Sequence, residues 1–201
     1  MGKPHKQSKS LPRERILSVA ADLFYKQGYR ATGINEVIEK SGVAKATFYN
    51  HFPSKDDLGL AYLLQLKDTE VVYVGNAIRA AKGRINRFLA VIRSLEPWLL
   101  DTRFRGCAFI NMASEIPDPK HPLRKVGRDV YDLVRAQVAT LAEELIASDA
   151  RKYGHLDARE LTGDYMVAFT GAISLAEIYH AIWPIEDALN TVRRLIGEKP
   201  G

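Results

Sequence analysis

The chain has a single cysteine, Cys107, in 201 residues. It can form no internal disulfide, which agrees with a reducing compartment. It has no apolar run near the roughly 18 residues of a membrane span. Its first ten residues, MGKPHKQSKS, are basic with no apolar stretch behind them, unlike a secretory signal. The expectation is a cytoplasmic protein with no membrane partner. Metal spacing is also missing: His5, His51, His121, His155 and His180 are scattered, with no His-x-x-x-His set. No glycine-rich phosphate loop and no convincing nucleophile-base pair is evident. These absences argue against an enzyme and against a cofactor. Alternating strand patterns, internal repeats and low-complexity runs are absent too.

What is present is a helical chain with an uneven charge. Hydrophobic residues make up 46% of it, enough to bury a real core. The net charge is +5. Residues 1–55 hold ten Lys or Arg against four acids, so +6, and the remainder holds nineteen against twenty, so −1. A localised basic segment is the footprint expected of a phosphate-backbone partner, although a solvated basic tail would look the same.

Residues 1–9 read as a flexible arm. A helix then opens with Ser10 as cap and Pro12 in its first turn, and Gly28 ends it. A short second helix carries Ile34, Val37 and Ile38 on one face. Ser41-Gly42-Val43 is a tight turn, and a third helix runs from Ala44 to about Phe52. Ser54, with Asp57 three residues later, starts a fourth helix that reaches about Asn76. The rest reads as helices over about 84–100, where Pro97 kinks or shortens the run, then 106–116, 123–152, 158–181 and 185–196.

Two short helices joined by a glycine turn inside the basic segment describe a helix-turn-helix. On the third helix, Phe48 and Phe52 lie one turn apart and pack inward. A rotation of about 100° per residue places Ala46, Tyr49 and Asn50 on the opposite face, with Lys45, Thr47 and His51 nearer its edges. An amide can read an adenine edge, and a tyrosine can reach a base or a phosphate. Lys55 adds a cation at the start of helix four.

These residues, with Ala20-Ala21-Asp22-Leu23-Phe24, Gly28-Tyr29, Thr32, Val37, Ser41-Gly42-Val43, Lys45, Thr47-Phe48-Tyr49, His51-Phe52 and Ser54-Lys55-Asp56-Asp57-Leu58, resemble the tetracycline-repressor (TetR) family of bacterial regulators. The resemblance covers about residues 11–60. It implies that Lys45, Ala46, Tyr49 and Asn50 face bases, that Asn35 reaches in from helix two, and that Thr47, His51 and Lys55 hold phosphates. It departs at Gly33, where a hydroxyl residue is common, and at Ala44, where a serine is common. Each departure removes a phosphate contact or a helix cap. The expected fold is all-α: a three-helix DNA-binding unit over 10–55, fused through a long helix to a helical dimerisation and ligand-binding domain over 56–201.

In the second part, Cys107, Asn111 and Glu115 recur every four residues among Phe109, Ile110 and Met112. Buried polar groups need partners. Arg103, Arg105 or Arg124 would serve, and so would a ligand. With Trp98, Tyr131 and Phe169, these three form the candidate ligand-binding set for a small apolar or amphipathic molecule. Cys107 itself reads as a buried small residue rather than a sensor. Small residues over 163–176 and the apolar face Leu189, Val192, Leu195 and Ile196 mark about 158–196 as the expected homodimer surface. The leading expectation is a dimeric repressor released from a palindromic operator by a ligand. The alternative is a DNA-binding regulator without one, controlled by abundance or a protein partner.

Overall fold

The computed structural model describes residues 11–200. The basic arm over 1–9 and the Ser10 cap lie outside the described residues. Among those described, the regular structure is entirely helical.

Helix α1 (Pro12–Gln27) begins with Leu11 in the capping position, where the Glu14 carboxylate accepts the Leu11 amide at 3.2 Å. It ends at Gly28, whose φ of 97° suits a residue without Cβ. Helices α2 (Ile34–Ser41) and α3 (Lys45–His51) meet at Gly42, left-handed at φ 64°. The Ser54 hydroxyl then accepts the Asp57 amide at 3.0 Å and starts α4 (Lys55–Ala80), four residues longer than expected.

The expected helix over 84–100 is two helices, α5 (Arg84–Arg93) and α6 (Leu95–Asp101). The break falls at Ser94, not at Pro97. A proline clashes with the carbonyl four residues earlier, here Arg93, so the disruption appears upstream of the ring. Pro97 itself lies in the first turn of α6, where no amide is needed. Helix α7 (Ala108–Glu115) follows, then α8 (Pro122–Ser148) and α9 (Ala150–Tyr153). The expected single helix to Lys152 is thus divided at Asp149, whose carboxylate accepts the Arg151 and Lys152 amides at 3.1 Å. Helix α10 (Ala158–Tyr179) stops at left-handed His180, and α11 (Trp183–Leu195) takes Trp183 and Pro184 into its first turn.

Two apolar cores result. The first joins Ile16, Ala20, Phe24, Val37, Phe48 and Phe52 to Leu58 and Leu63 of α4, and continues into Phe109 and Met112 of α7 and Leu123 and Val126 of α8. The second gathers Phe88, Ile92, Leu99, Leu145, Tyr165, Ile185 and Val192. Helix α4 runs through both, with Leu58, Tyr62 and Leu63 in the first and Val74 in the second.

Candidate nucleic-acid interface and ligand cavity

Helix α3 is pinned by Phe48 and Phe52, both fully enclosed, with rings 6.3 Å apart. Its opposite face is therefore directed outward. Lys45, Ala46, Asn50 and His51 are exposed, Thr47 is half-buried, and Tyr49 is 40% exposed. The Phe48 ring meets Tyr49 edge-on at 5.3 Å and limits where the phenol can point. Asn35 is exposed in the first turn of α2. The corner between α1 and α2 is held by buried Thr32, whose hydroxyl donates to the Gly28 carbonyl at 2.7 Å. Neither α2 nor α3 has a side-chain cap, because Gly33 and Ala44 occupy the capping positions. Lys55 is half-buried; its ammonium donates to the Arg30 carbonyl at 3.3 Å and lies 4.6 Å from the Tyr29 ring centre. Burial lowers its pKa from the usual lysine value.

The second site is a cavity of about 50 Å³ bounded by α4, α5–α6, α7, α8 and α10. Trp98, Cys107, Tyr131 and Phe169 of the candidate ligand set line it together. Asn111 and Glu115 do not. The Asn111 amide donates to the Arg105 carbonyl at 3.1 Å, and Glu115 accepts the backbone amides of Tyr29 at 3.0 Å and Arg30 at 2.6 Å. Their stripe faces the DNA-binding unit, so the partners of Glu115 are amides at the α1–α2 corner rather than any of the three arginines considered. Tyr25 adds a hydrogen bond to the Gly106 carbonyl at 2.9 Å, and His121 approaches Asp56 at 3.2 Å. Burial pushes the Cys107 thiol up to about 11, so it is protonated at neutral pH and poorly nucleophilic.

The sequence reading missed most of the wall, including its one charged side chain. Glu70 of α4 lines the cavity, and desolvation raises its pKa above the ordinary carboxylate value. Its signal was available: it lies one helical turn before Tyr73 and Val74, on their face. The backbone amides that Glu115 grips leave no trace in a side-chain pattern. Glu177 and His180 have the Glu-x-x-His spacing of some metal sites, but Glu177 is bonded to Arg105 at 3.0 Å. Among the described residues no three His, Cys, Asp or Glu side chains gather as a metal site.

The helices α10 and α11 present an apolar stripe outward. Val167 is 74% exposed and Ile178 70%, with Leu175, Tyr179 and Trp183 beside them. Gly171 opens onto free space within that stripe. The expected apolar face of α11 is divided: Val192 and Ile196 are enclosed in their own protomer, and Leu189 and Leu195 are half-buried.

Comparison with known proteins places the same segment in a family. Residues 16–62 match the model for bacterial regulatory proteins of the tetR family. The chain is 33% identical over 192 residues to a helix-turn-helix-type transcriptional regulator of Mycobacterium tuberculosis, covering 92% of this chain and 94% of that one. It is 30% identical over 121 residues to the transcriptional regulator LmrA of Bacillus subtilis, a match covering 59% of this chain but only 64% of that relative's length. The crystal structure of a TetR-family transcriptional regulator from Streptomyces coelicolor superposes with a TM-score of 0.80 at 28% identity, covering 92% of this chain and 94% of that one.

Proposed function

The chain belongs to the TetR family of DNA-binding transcriptional regulators, and from that premise we propose that it is a repressor released from a palindromic operator by a small molecule entering the cavity. Lys45, Ala46, Tyr49, Asn50 and Asn35 read bases, while Thr47, His51 and Lys55 hold phosphates. Two copies pair through about 158–196, and their recognition helices enter successive major grooves about 34–36 Å apart.

The observation that carries release by a ligand is the double duty of α4 and α7. Helix α4 lines the cavity with Glu70, Tyr73 and Val74 and anchors the DNA-binding core with Leu58 and Leu63. Helix α7 places Phe109 at the cavity, with Cys107 capping it there, and its last residue, Glu115, grips the α1–α2 corner. A typical ligand site is about 300–1,000 Å³, so a ligand must widen this cavity by moving its walls. Movement of either wall reaches the recognition helices. A ligand that favours the widened form shifts the population away from the DNA-competent spacing. The narrowness of the cavity favours the second reading, a regulator without a ligand.

The test is to select a binding duplex from random sequence, screen amphipathic molecules by thermal shift, and titrate each hit into the protein–duplex complex. Stabilising ligands that dissociate the duplex are the expected result. Ligands that stabilise the fold while the duplex stays bound would overturn release. No stabilising molecule across a broad library would leave the ligand-free regulator.

A further inference from the structure

We propose that the cavity takes an organic cation, an amphipathic amine whose charged end meets Glu70 and whose apolar body stacks on the aromatic wall. This rests on the reading of the cavity as a ligand site and assigns the chemistry of its occupant.

The lining contains no Lys, Arg or His, and Glu70 is its one charged side chain. Glu70 is half-buried, and the described residues give it neither a hydrogen bond nor an ion pair. A carboxylate removed from water without a partner carries a desolvation cost that the fold leaves uncompensated. Burial is the cause of its raised pKa, with no bonded donor to oppose it. A second group is only weakly engaged: the buried Tyr131 hydroxyl lies against the Cys107 thiol and the Thr170 side chain, and no hydrogen bond of good geometry ties it down. By contrast, two other polar side chains of the wall are engaged within the fold. The Tyr73 hydroxyl donates to the Ser94 carbonyl, and the Ser94 hydroxyl to Val91, both at 2.8 Å.

A protonated amine answers these features together. It donates a charge-assisted hydrogen bond to Glu70 and leaves room for the Tyr131 oxygen to accept another. The rings of Trp98, Tyr131 and Phe169 supply the electron-rich faces that attract a cation and its apolar body. An anion would meet the Glu70 charge at low dielectric with no cation to offset it. A neutral ligand could at most donate a hydrogen bond and would leave the Glu70 charge without a counter-charge.

Three probes of one shape decide between these classes: phenylbutylamine, phenylbutanol and phenylbutyrate, titrated calorimetrically into the full-length protein and into Glu70→Gln. The expected order is amine tightest, by about tenfold or more over the alcohol, with the acid weakest. In Glu70→Gln the amine and alcohol bind within about threefold of one another. Binding of the acid as tight as the amine, or a Glu70→Gln ratio equal to that of the unchanged protein, would overturn the cation assignment while leaving the ligand site. Silence from all three probes would overturn the cation assignment, whereas the ligand site itself falls only if the broad thermal-shift screen is also silent. The order of the probes on the unchanged protein stands independently of how well Glu70→Gln folds.

Discussion

Tyr49 projects from a helix whose neighbours at 48 and 52 are enclosed, so its ring can be removed without opening the core. Tyr49→Ala is therefore expected to retain the melting temperature and to lose specific DNA binding by about tenfold or more, in line with the roughly 1–3 kcal/mol of a good base contact. Unchanged affinity in a fluorescence-anisotropy titration would remove α3 from the interface. Glu70 supports a second expectation. Its folded-state pKa is raised by burial, so the folded protein favours the protonated acid more than the unfolded chain does. The stability tied to that proton is present at acid pH and is lost as pH rises through the folded value. Among the groups that sense the Glu70 charge are Tyr73, Cys107 and Tyr131, and none is a cation that would reverse the sign. Glu70→Gln should be neutral to stability at acid pH and stabilising at neutral pH. Urea midpoints measured across that range would show a constant difference if the carboxylate were well solvated.

At the scale of the element, the two helices of the DNA-binding motif are short and start without side-chain caps. Isolated helices of this length do not hold in water, so α2 and α3 depend on Val37, Phe48 and Phe52 reaching the first core. Ala44 has the extended backbone of a capping residue, at φ −67° and ψ 146°. Ala44→Ser should raise stability by about 1 kcal/mol, the usual difference between serine and alanine at that position. Chemical denaturation reads the change directly, and a loss of stability would mean that the serine oxygen does not reach the free amides. Elements also explain the two misread breaks. Hydrophobic periodicity runs through Ser94 and Asp149 without interruption, whereas the breaks arise from the reach of Pro97 and from the Asp149 carboxylate capping α9. Periodicity reports which face is apolar, and carries little information on where a hydrogen-bond ladder stops.

For the whole molecule, the stripe on α10 and α11 leaves Val167, Leu175, Ile178, Tyr179 and Trp183 open to solvent, an apolar patch of the kind that marks an interface. Val167→Glu would place a charge within it without touching either core, since that side chain is 74% exposed. The expected product is a folded monomer by light scattering, with DNA affinity lost because one recognition helix spans too little of a site. A variant that stays dimeric would move the interface elsewhere. The intact dimer is expected to bind DNA with a steep salt dependence, losing about a thousandfold or more between roughly 50 and 200 mM salt for 6–10 neutralised phosphates. A flat response would count against backbone contacts by Lys55 and its neighbours.

The sequence alone carried the helical fold, the position of the DNA-binding motif and the outward face of α3. Those features depend on residues near one another in the chain: Phe48 and Phe52 one turn apart, Gly42 between two short helices, Ser54 ahead of Asp57. Tertiary structure decided the rest. It turned Asn111 and Glu115 from the cavity to the α1–α2 corner, brought Glu70 to the cavity with Trp98, Tyr131 and Phe169, and enclosed Val192 and Ile196 in their own protomer. A helical pattern gives the angle between residues on one helix, but not which neighbour that face meets. The meeting of α4 with α8, and of α8 with α7, is settled by packing between residues far apart in the chain, and the proposed link between cavity and DNA-binding unit depends on it.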